Sequence, residues 1–182
     1  MRALVRSAGA LALVFAGAAE AQDTVGFYEE LMIQPVAAQE SSAGCGGAVS
    51  RVPVRVEANP SGGIQVGFFE SSAGAIGEQL KASAWLAALV SSEILDSDLR
   101  GYRISFSWTG HQLDGPSAGA LMTSGLLAIL RDDPFPADAT MTGTINPDGT
   151  IGPVGGIVHK VQGLAEAKIT RGVFNRSPLS VA

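Results

Sequence analysis

Cysteine, histidine and positive charge are scarce in this sequence. Its one cysteine, Cys45, excludes a disulfide within the chain, and no basic residue lies near it to activate the thiol. The two histidines have no nearby cysteine or paired carboxylates, so we expect no metal site and no cofactor. The net charge is −5, with lysine and arginine present only as isolated residues. Because nucleic-acid-binding surfaces are basic, neither DNA nor RNA is an expected partner.

The chain also lacks an apolar run long enough to span a bilayer. Its longest, over residues 8–19, follows two arginines and precedes the triplet Ala-Glu-Ala at 19–21. This order is typical of a secretory signal peptide. We therefore predict a signal peptide over 1–21, cleavage before Gln22, and a secreted or periplasmic protein without a stable membrane anchor. An uncleaved N-terminal anchor is the alternative.

The rest of the chain has the composition of one globular domain. Hydrophobic residues make up 46% and charged residues 16%, which is enough to bury a core. Residues 22–50 are rich in Ala, Gln, Ser and Gly and are predicted to form a flexible leader, with the domain over 51–182. The β-type runs at 52–56 and 64–69 flank turn-forming residues and predict a hairpin.

Apolar periodicity predicts the remaining elements of the domain. We expect strands over 102–108 and 140–145 and helices over 76–95, 117–130 and 157–168. Both tryptophans, Trp85 and Trp108, are expected to face the core.

Ser117 is the candidate nucleophile. It follows Gly115 and Pro116 at the predicted start of an apolar helix. The N–H groups in the first turn of a helix lack internal partners, so those of Gly115 and Ser117 are candidate donors to an oxyanion. The alternative is that Asp114 and Ser117 only cap an ordinary helix, as these residue types often do.

Lys160 is the candidate base for that serine. A lysine accepts a proton only when neutral, and at its ordinary pKa about one molecule in a few thousand is neutral at pH 7. The pKa must therefore be depressed by burial or by a neighbouring cation. The apolar neighbours of Lys160 predict burial as the cause; they are Ile157, Val158, Val161 and Leu164. A Ser-His pair through His111 or His159 is less favoured, because no acid is placed to orient either ring.

Residues 102–167 resemble the proteolytic domain of the Lon proteases. Asp-Gly-Pro-Ser-Ala-Gly at 114–119 matches the family's nucleophile motif. Met-Thr-Gly at 141–143, Gly-Pro-Val-Gly-Gly at 152–156 and then Lys160 match its lysine motif, in the same order and at the same separation.

This resemblance implies a role for each matched residue. Ser117 would be the nucleophile, Lys160 the general base and Thr142 the hydroxyl that orients the lysine, with Asp114 in a gating or structural part. It also implies an α+β fold, a single Lon-type proteolytic domain like domain 2 of ribosomal protein S5, with a mixed sheet and packed helices.

The sequence departs from the family pattern in two ways. No Gly-x-x-x-x-Gly-Lys-Ser/Thr loop is present, so an ATPase motor is not expected. Family members usually continue well past the lysine helix with a strand and a further helix, whereas this chain stops at Ala182. A domain truncated at its C-terminus and a natural end are both left open. Whether the protein forms a homo-oligomer is left open.

Together these features predict an exported, ATP-independent serine endopeptidase that cleaves unfolded or flexible polypeptide segments. The alternative is an exported, non-catalytic relative of the same domain that binds peptides or a partner protein.

Overall fold

The computed structural model describes residues 27–41, 44–109 and 112–175, apart from the side chains of residues 40 and 41. The predicted signal peptide over 1–21 lies outside these ranges. The strands are β1 (Tyr28–Ile33), β2 (Val36–Ser41), β3 (Gly44–Val49), β4 (Val52–Ala58), β5 (Gln65–Glu70), β6 (Tyr102–Trp108), β7 (Ala139–Thr142), β8 (Thr144–Ile145), β9 (Ile151–Gly152) and β10 (Arg171–Phe174). The α-helices are α1 (Glu78–Leu95), α2 (Gly119–Arg131) and α3 (Ile157–Glu166), and short 3-10 helices span Leu99–Gly101 and Pro116–Ala118.

The central sheet has the strand order β1-β4-β6-β5. β4 runs antiparallel to β1 and β6, whereas β5 runs parallel to β6. Alternate residues of β4 and β6 are buried, including Val54, Val56, Ile104 and Phe106. They form one core with residues of α1 and α2. The expected mixed sheet with packed helices is confirmed, as is the strand over 102–108 with Trp108 in the core.

The predicted hairpin between residues 52–56 and 64–69 is wrong. Both runs are strands, but they lie on opposite sides of β6 and do not pair with each other. Because β5 is parallel to β6, the chain has to cross over through α1 before the two strands can meet. Alternation identified the strands correctly, but it carries no information on which strand is the neighbour.

The helices begin and end close to their predicted bounds. The interior face of α1 is built from small residues such as Ala84, Ala87 and Ala88. Trp85 follows that face by one position, so it points away from the core and is 40% exposed. The prediction that Trp85 faces the core is therefore wrong.

The predicted flexible leader over 22–50 is wrong for residues 28–41 and 44–49, which are mainly β-strand. β1 is an edge strand of the central sheet, and Ile33 and Val36 are only 1% and 4% exposed. β2 and β3 form an antiparallel hairpin whose small residues allow it to pack closely on α3. Glycine and alanine here serve close packing, whereas their abundance alone indicated flexibility.

The remaining strands lie around the candidate site. The predicted strand over 140–145 divides at Gly143 into β7 and β8. β8 pairs with β9, and β7 pairs in parallel with β10, which follows α3 in the chain. Among the described residues, none of the helices combines the length and hydropathy that crossing a bilayer requires.

Candidate active site

Ser117 lies in the 3-10 turn that leads into α2, and it is partly buried. Gly115 precedes the turn at φ 111° and ψ 152°, a backbone conformation that favours glycine. Pro116 then supplies the fixed φ that suits the first position of a helix. This local sequence is what places Ser117 at the helix start.

The backbone around Ser117 is held by the β7–β8 connection. The Ser117 carbonyl accepts hydrogen bonds from the Gly143 N–H at 2.9 Å and from the Thr142 hydroxyl at 3.2 Å. The Ala120 N–H returns a bond to the Gly143 carbonyl at 3.0 Å. A Cβ at Gly119 would lie 2.9 Å from Ile145, so glycine is needed where α2 meets β8.

Lys160 lies in the first turn of α3 and is 3% exposed. Its Nζ donates a hydrogen bond of 2.8 Å to the Thr142 hydroxyl. Burial lowers the pKa of the Lys160 amine below its ordinary value of 10.5. In the part of the chain that the structure describes, this is the one hydrogen bond of Nζ, whereas an ammonium has three donors to satisfy. The surroundings therefore favour the neutral amine.

Thr142 connects the two predicted catalytic residues. Its hydroxyl donates to the Ser117 carbonyl and accepts from Lys160 Nζ, and the residue is 1% exposed. The structure thus brings Ser117, Thr142 and Lys160 together. It shows no hydrogen bond between the Ser117 hydroxyl and Lys160 Nζ, so a direct serine–lysine contact stays a prediction.

Asp114 caps α1, and not the helix that follows it in the chain. Its Oδ1 accepts hydrogen bonds from the N–H groups of Gln79 and Leu80, at 3.0 and 3.2 Å, in the first turn of α1. α1 has Gly77 at its N-cap position, with no capping side chain of its own. A Cβ at Gly77 would come within 2.1 Å of the Asp114 carboxyl. Asp114 therefore ties the loop that precedes Ser117 to α1, and Gly77 leaves room for its carboxylate.

Gly77 is the structural residue that sequence analysis missed. A helix preceded by glycine, without Ser, Thr, Asp or Asn at its N-cap, was the available signal. The distant partner that supplies the cap cannot be deduced from that signal.

The predicted oxyanion donors are the N–H groups of Gly115 and Ser117, and the first of them already has an acceptor. The N–H of Gly115 donates to the Asp114 carboxylate at 2.8 Å, so an oxyanion role would require that bond to break. The role of the Ser117 N–H as an oxyanion donor stays a prediction.

Of the two histidines, His159 lies in the described part of the chain, and it does not enter the site. His111 lies outside the described ranges. The ring of His159 contacts the Gln162 side chain at 3.3 Å, rather than a carboxylate or Ser117. Cys45 is exposed, and no cluster of His, Cys, Asp and Glu in the described ranges has the composition of a metal site.

Replacing Asp114 with alanine is expected to lower the free energy of unfolding by about 1 kcal/mol, because α1 loses its cap. Chemical denaturation measures the change. Asp114→Asn is the matched control, since it keeps one oxygen acceptor and should retain most of the stability. Equal stability of the alanine variant and the native protein would contradict the capping role.

Comparison with known proteins finds similarity over the segment that contains these residues. Residues 109–177 match the model of the Lon protease (S16) C-terminal proteolytic domain. The Lon protease of Phenylobacterium zucineum is 47% identical over 58 residues, which are 32% of this chain and 7% of that protein. A mitochondrial Lon protease homolog of Caenorhabditis elegans is 50% identical over 48 residues, 26% of this chain and 5% of that protein.

A longer alignment extends the match. The Lon protease of Mycoplasma mobile is 28% identical over 126 residues, covering 63% of this chain and 14% of that protein. The chain thus spans only a small part of the length of the relatives it matches. Ser117, Thr142 and Lys160 all lie within 109–177, the segment of this chain that resembles the Lon protease proteolytic domain.

Proposed function

We propose that this protein is a serine endopeptidase in which Ser117 and Lys160 act as a catalytic dyad. The observation that carries the proposal is the buried Lys160 amine, hydrogen-bonded to the Thr142 hydroxyl that also holds the Ser117 backbone. Burial lowers the pKa of this amine, which favours the neutral form that a base requires. The family of residues 109–177 supports the same chemistry.

In the proposed reaction, the Ser117 Oγ attacks the carbonyl carbon of a peptide bond while Lys160 Nζ accepts its proton. The tetrahedral intermediate collapses, and Lys160 gives that proton to the leaving amine, which leaves an acyl ester on Ser117. Lys160 then takes a proton from a water molecule, which attacks the ester carbonyl, and it returns that proton to the Ser117 Oγ as the acyl–oxygen bond breaks. Thr142 orients Nζ throughout, as its buried hydrogen bond allows.

The dyad requires the Ser117 hydroxyl to turn toward Lys160. The bonds that hold Ser117 run through its carbonyl and not through its side chain. Rotation about χ1 therefore redirects the hydroxyl without breaking the attachment to the β7–β8 connection.

The proposal also covers the fold, the location, the oligomeric state and the substrates of the enzyme. We infer an S5 domain 2-like fold, export to a secreted or periplasmic location, and a homo-oligomer as an open option. Action without ATP would restrict the substrates to unfolded or flexible segments of polypeptide, because no motor would unfold them.

A non-catalytic peptide- or protein-binding role is the second candidate. It is favoured by the lack of a hydrogen bond between the Ser117 hydroxyl and Lys160 Nζ in the structure. In that case the buried lysine would be a remnant of the family's site, and the protein would not form an acyl ester.

Labelling with a serine-directed acylating probe distinguishes the two roles. We expect one adduct, assigned to Ser117 by peptide mapping, that forms at the same rate with and without ATP. Heat-denatured protein is the control and should remain unlabelled, because only the folded chain buries Lys160 and lowers its pKa. Folded protein that takes up no probe at any pH up to about 10 would favour the binding role.

A further inference from the structure

The β2–β3 hairpin meets α3 through two glycines. A Cβ at Gly47 would lie 1.9 Å from the carbonyl oxygen of His159 and 2.8 Å from the backbone nitrogen of Gly163. In the other direction, a Cβ at Gly163 would lie 2.6 Å from the carbonyl carbon of Gly47. Backbone therefore rests on backbone at this point, and a side chain on either residue would force the hairpin and the helix apart.

Lys160 is on the same face of α3 as this contact. A Cβ at Gly156 would come within 2.6 Å of the Ala38 Cβ in β2, so the hairpin also approaches the start of the helix. Gly156, Lys160 and Gly163 are separated by four and three residues, a spacing that puts them on one side of a helix. The hairpin thus lies over the side from which Lys160 projects.

The other side of α3 is open. Val158 and Val161 are 69% and 48% exposed. The apolar residues next to Lys160 in sequence therefore do not all cover it, and burial of Lys160 depends on elements from elsewhere in the chain.

The ionisable residues around α3 do not account for the lowered pKa of Lys160. On the hairpin, Cys45 is exposed, and the side chain of Glu40 lies outside the described part of the chain. On β10, Arg171 forms an ion pair with Asp138. β7 and β8 carry no ionisable residue.

The ionisable residues of α3 and of the loop that precedes Ser117 do not account for the lowered pKa of Lys160 either. Glu166 is exposed, and His159 contacts Gln162. Asp114 is engaged with α1. Burial is the cause of the lowered pKa of Lys160, so whatever excludes water from this side chain sets its protonation.

We propose that the β2–β3 hairpin, seated on α3 by the Gly47–Gly163 contact, is the cover that excludes water from Lys160 and thereby sets the pH range in which the site is active. The inference rests on the proposed function for its catalytic consequence. Gly47 and Gly163 are positioning residues, because they act through the lysine and do not touch the substrate.

Replacing neighbouring glycines of β3 tests the proposal. Gly47→Ala introduces a Cβ where the helix backbone stands, whereas Gly46→Ala introduces one where nothing lies within 4 Å. The chain has three lysines, Lys81, Lys160 and Lys168. Nuclear magnetic resonance of lysine-labelled protein can therefore follow the pKa of Lys160 directly, with its signal assigned by its loss in Lys160→Met.

We expect Gly46→Ala to leave the pKa of Lys160 unchanged and Gly47→Ala to raise it toward 10.5, the ordinary value. The pH profile of peptide hydrolysis should move upward with it, and once the pKa is well above 7, each further unit removes about nine-tenths of the neutral amine at pH 7. Gly163→Ala places a Cβ in the same contact from the side of the helix and should give the same result. Alanine has a higher helix propensity than glycine, so this substitution should not weaken α3 itself.

An unchanged pKa of Lys160 in folded Gly47→Ala and Gly163→Ala proteins would overturn the proposal. Unfolding of both variants would overturn it too, because the hairpin would then be part of the folding core and not a cover. The pKa measurement needs no turnover. A native protein without peptidase activity but with the expected pKa changes would refute the proposed function and leave this inference standing.

Discussion

Ser117→Ala is expected to lower the rate of peptide hydrolysis by on the order of 10⁶-fold, as the loss of the nucleophile does in other serine peptidases. The variant cannot form the acyl ester, because it has no hydroxyl from which the Lys160 amine could take a proton. Because Ser117 is attached to its neighbours through the backbone carbonyl, the substitution should leave the fold intact. Cleavage of an unfolded protein substrate, followed by mass spectrometry, measures the loss.

Ser124→Ala is the matched control for this prediction. Ser124 is on the same helix, and its hydroxyl donates to the Ala120 carbonyl at 2.9 Å, so its loss should change the rate by no more than a few-fold. If Ser117→Ala kept the native rate, another residue would be the nucleophile. If both variants lost activity equally, the effect would be on helix packing and not on chemistry.

The turn at Ser117 could be predicted from sequence because its determinants are local. Glycine at positive φ and proline at the start of a helix act over a few residues, so the sequence from Asp114 to Gly119 is enough to place the serine. The cap of α1 could not be predicted in the same way. Asp114 was considered as a cap of its own helix, but its carboxylate reaches α1, which begins more than thirty residues earlier.

Burial of Lys160 was predicted correctly but for a partly wrong reason. Two of the apolar neighbours that predicted it, Val158 and Val161, are exposed. Leu164 is 5% exposed, as expected for a residue one turn along the same side of the helix as Lys160. Neighbours in sequence point in different directions on a helix, so periodicity indicates burial better than local composition does.

The β2–β3 hairpin was missed because its signal depends on a distant partner. Gly46 and Gly47 look alike in the sequence, and both suggest flexibility. Only Gly47 meets the backbone of α3, at Gly163. The need for glycine at one position and not at its neighbour arises in the folded chain, from residues more than one hundred positions away.

Lys160→Met is expected to lower the rate of Ser117 acylation by about 10² to 10⁴-fold, the usual contribution of a general base. Methionine has a similar length and suits an apolar site, so it removes the proton acceptor and fills most of the volume. Thr142 keeps its hydrogen bond to the Ser117 carbonyl. Acylation by the serine-directed probe measures the effect, and Lys168→Met is the control because Lys168 is exposed. Equal acylation rates in Lys160→Met and the native protein would exclude Lys160 as the base.

The stability of Lys160→Met separates loss of the base from damage to the fold. Because burial lowers the pKa of Lys160 in the folded protein, the unfolded chain binds a proton that the folded chain lacks between that lowered value and 10.5. Native stability should therefore rise with pH through this window, and the cost of burying the lysine is fully present below it. Methionine has no such cost, so the variant should melt above the native protein at pH 7, with the difference shrinking as the pH approaches 10.5. An inactive variant that melts at a lower temperature at every pH would show instead that the lysine stabilises the fold, and its inactivity would not identify a base.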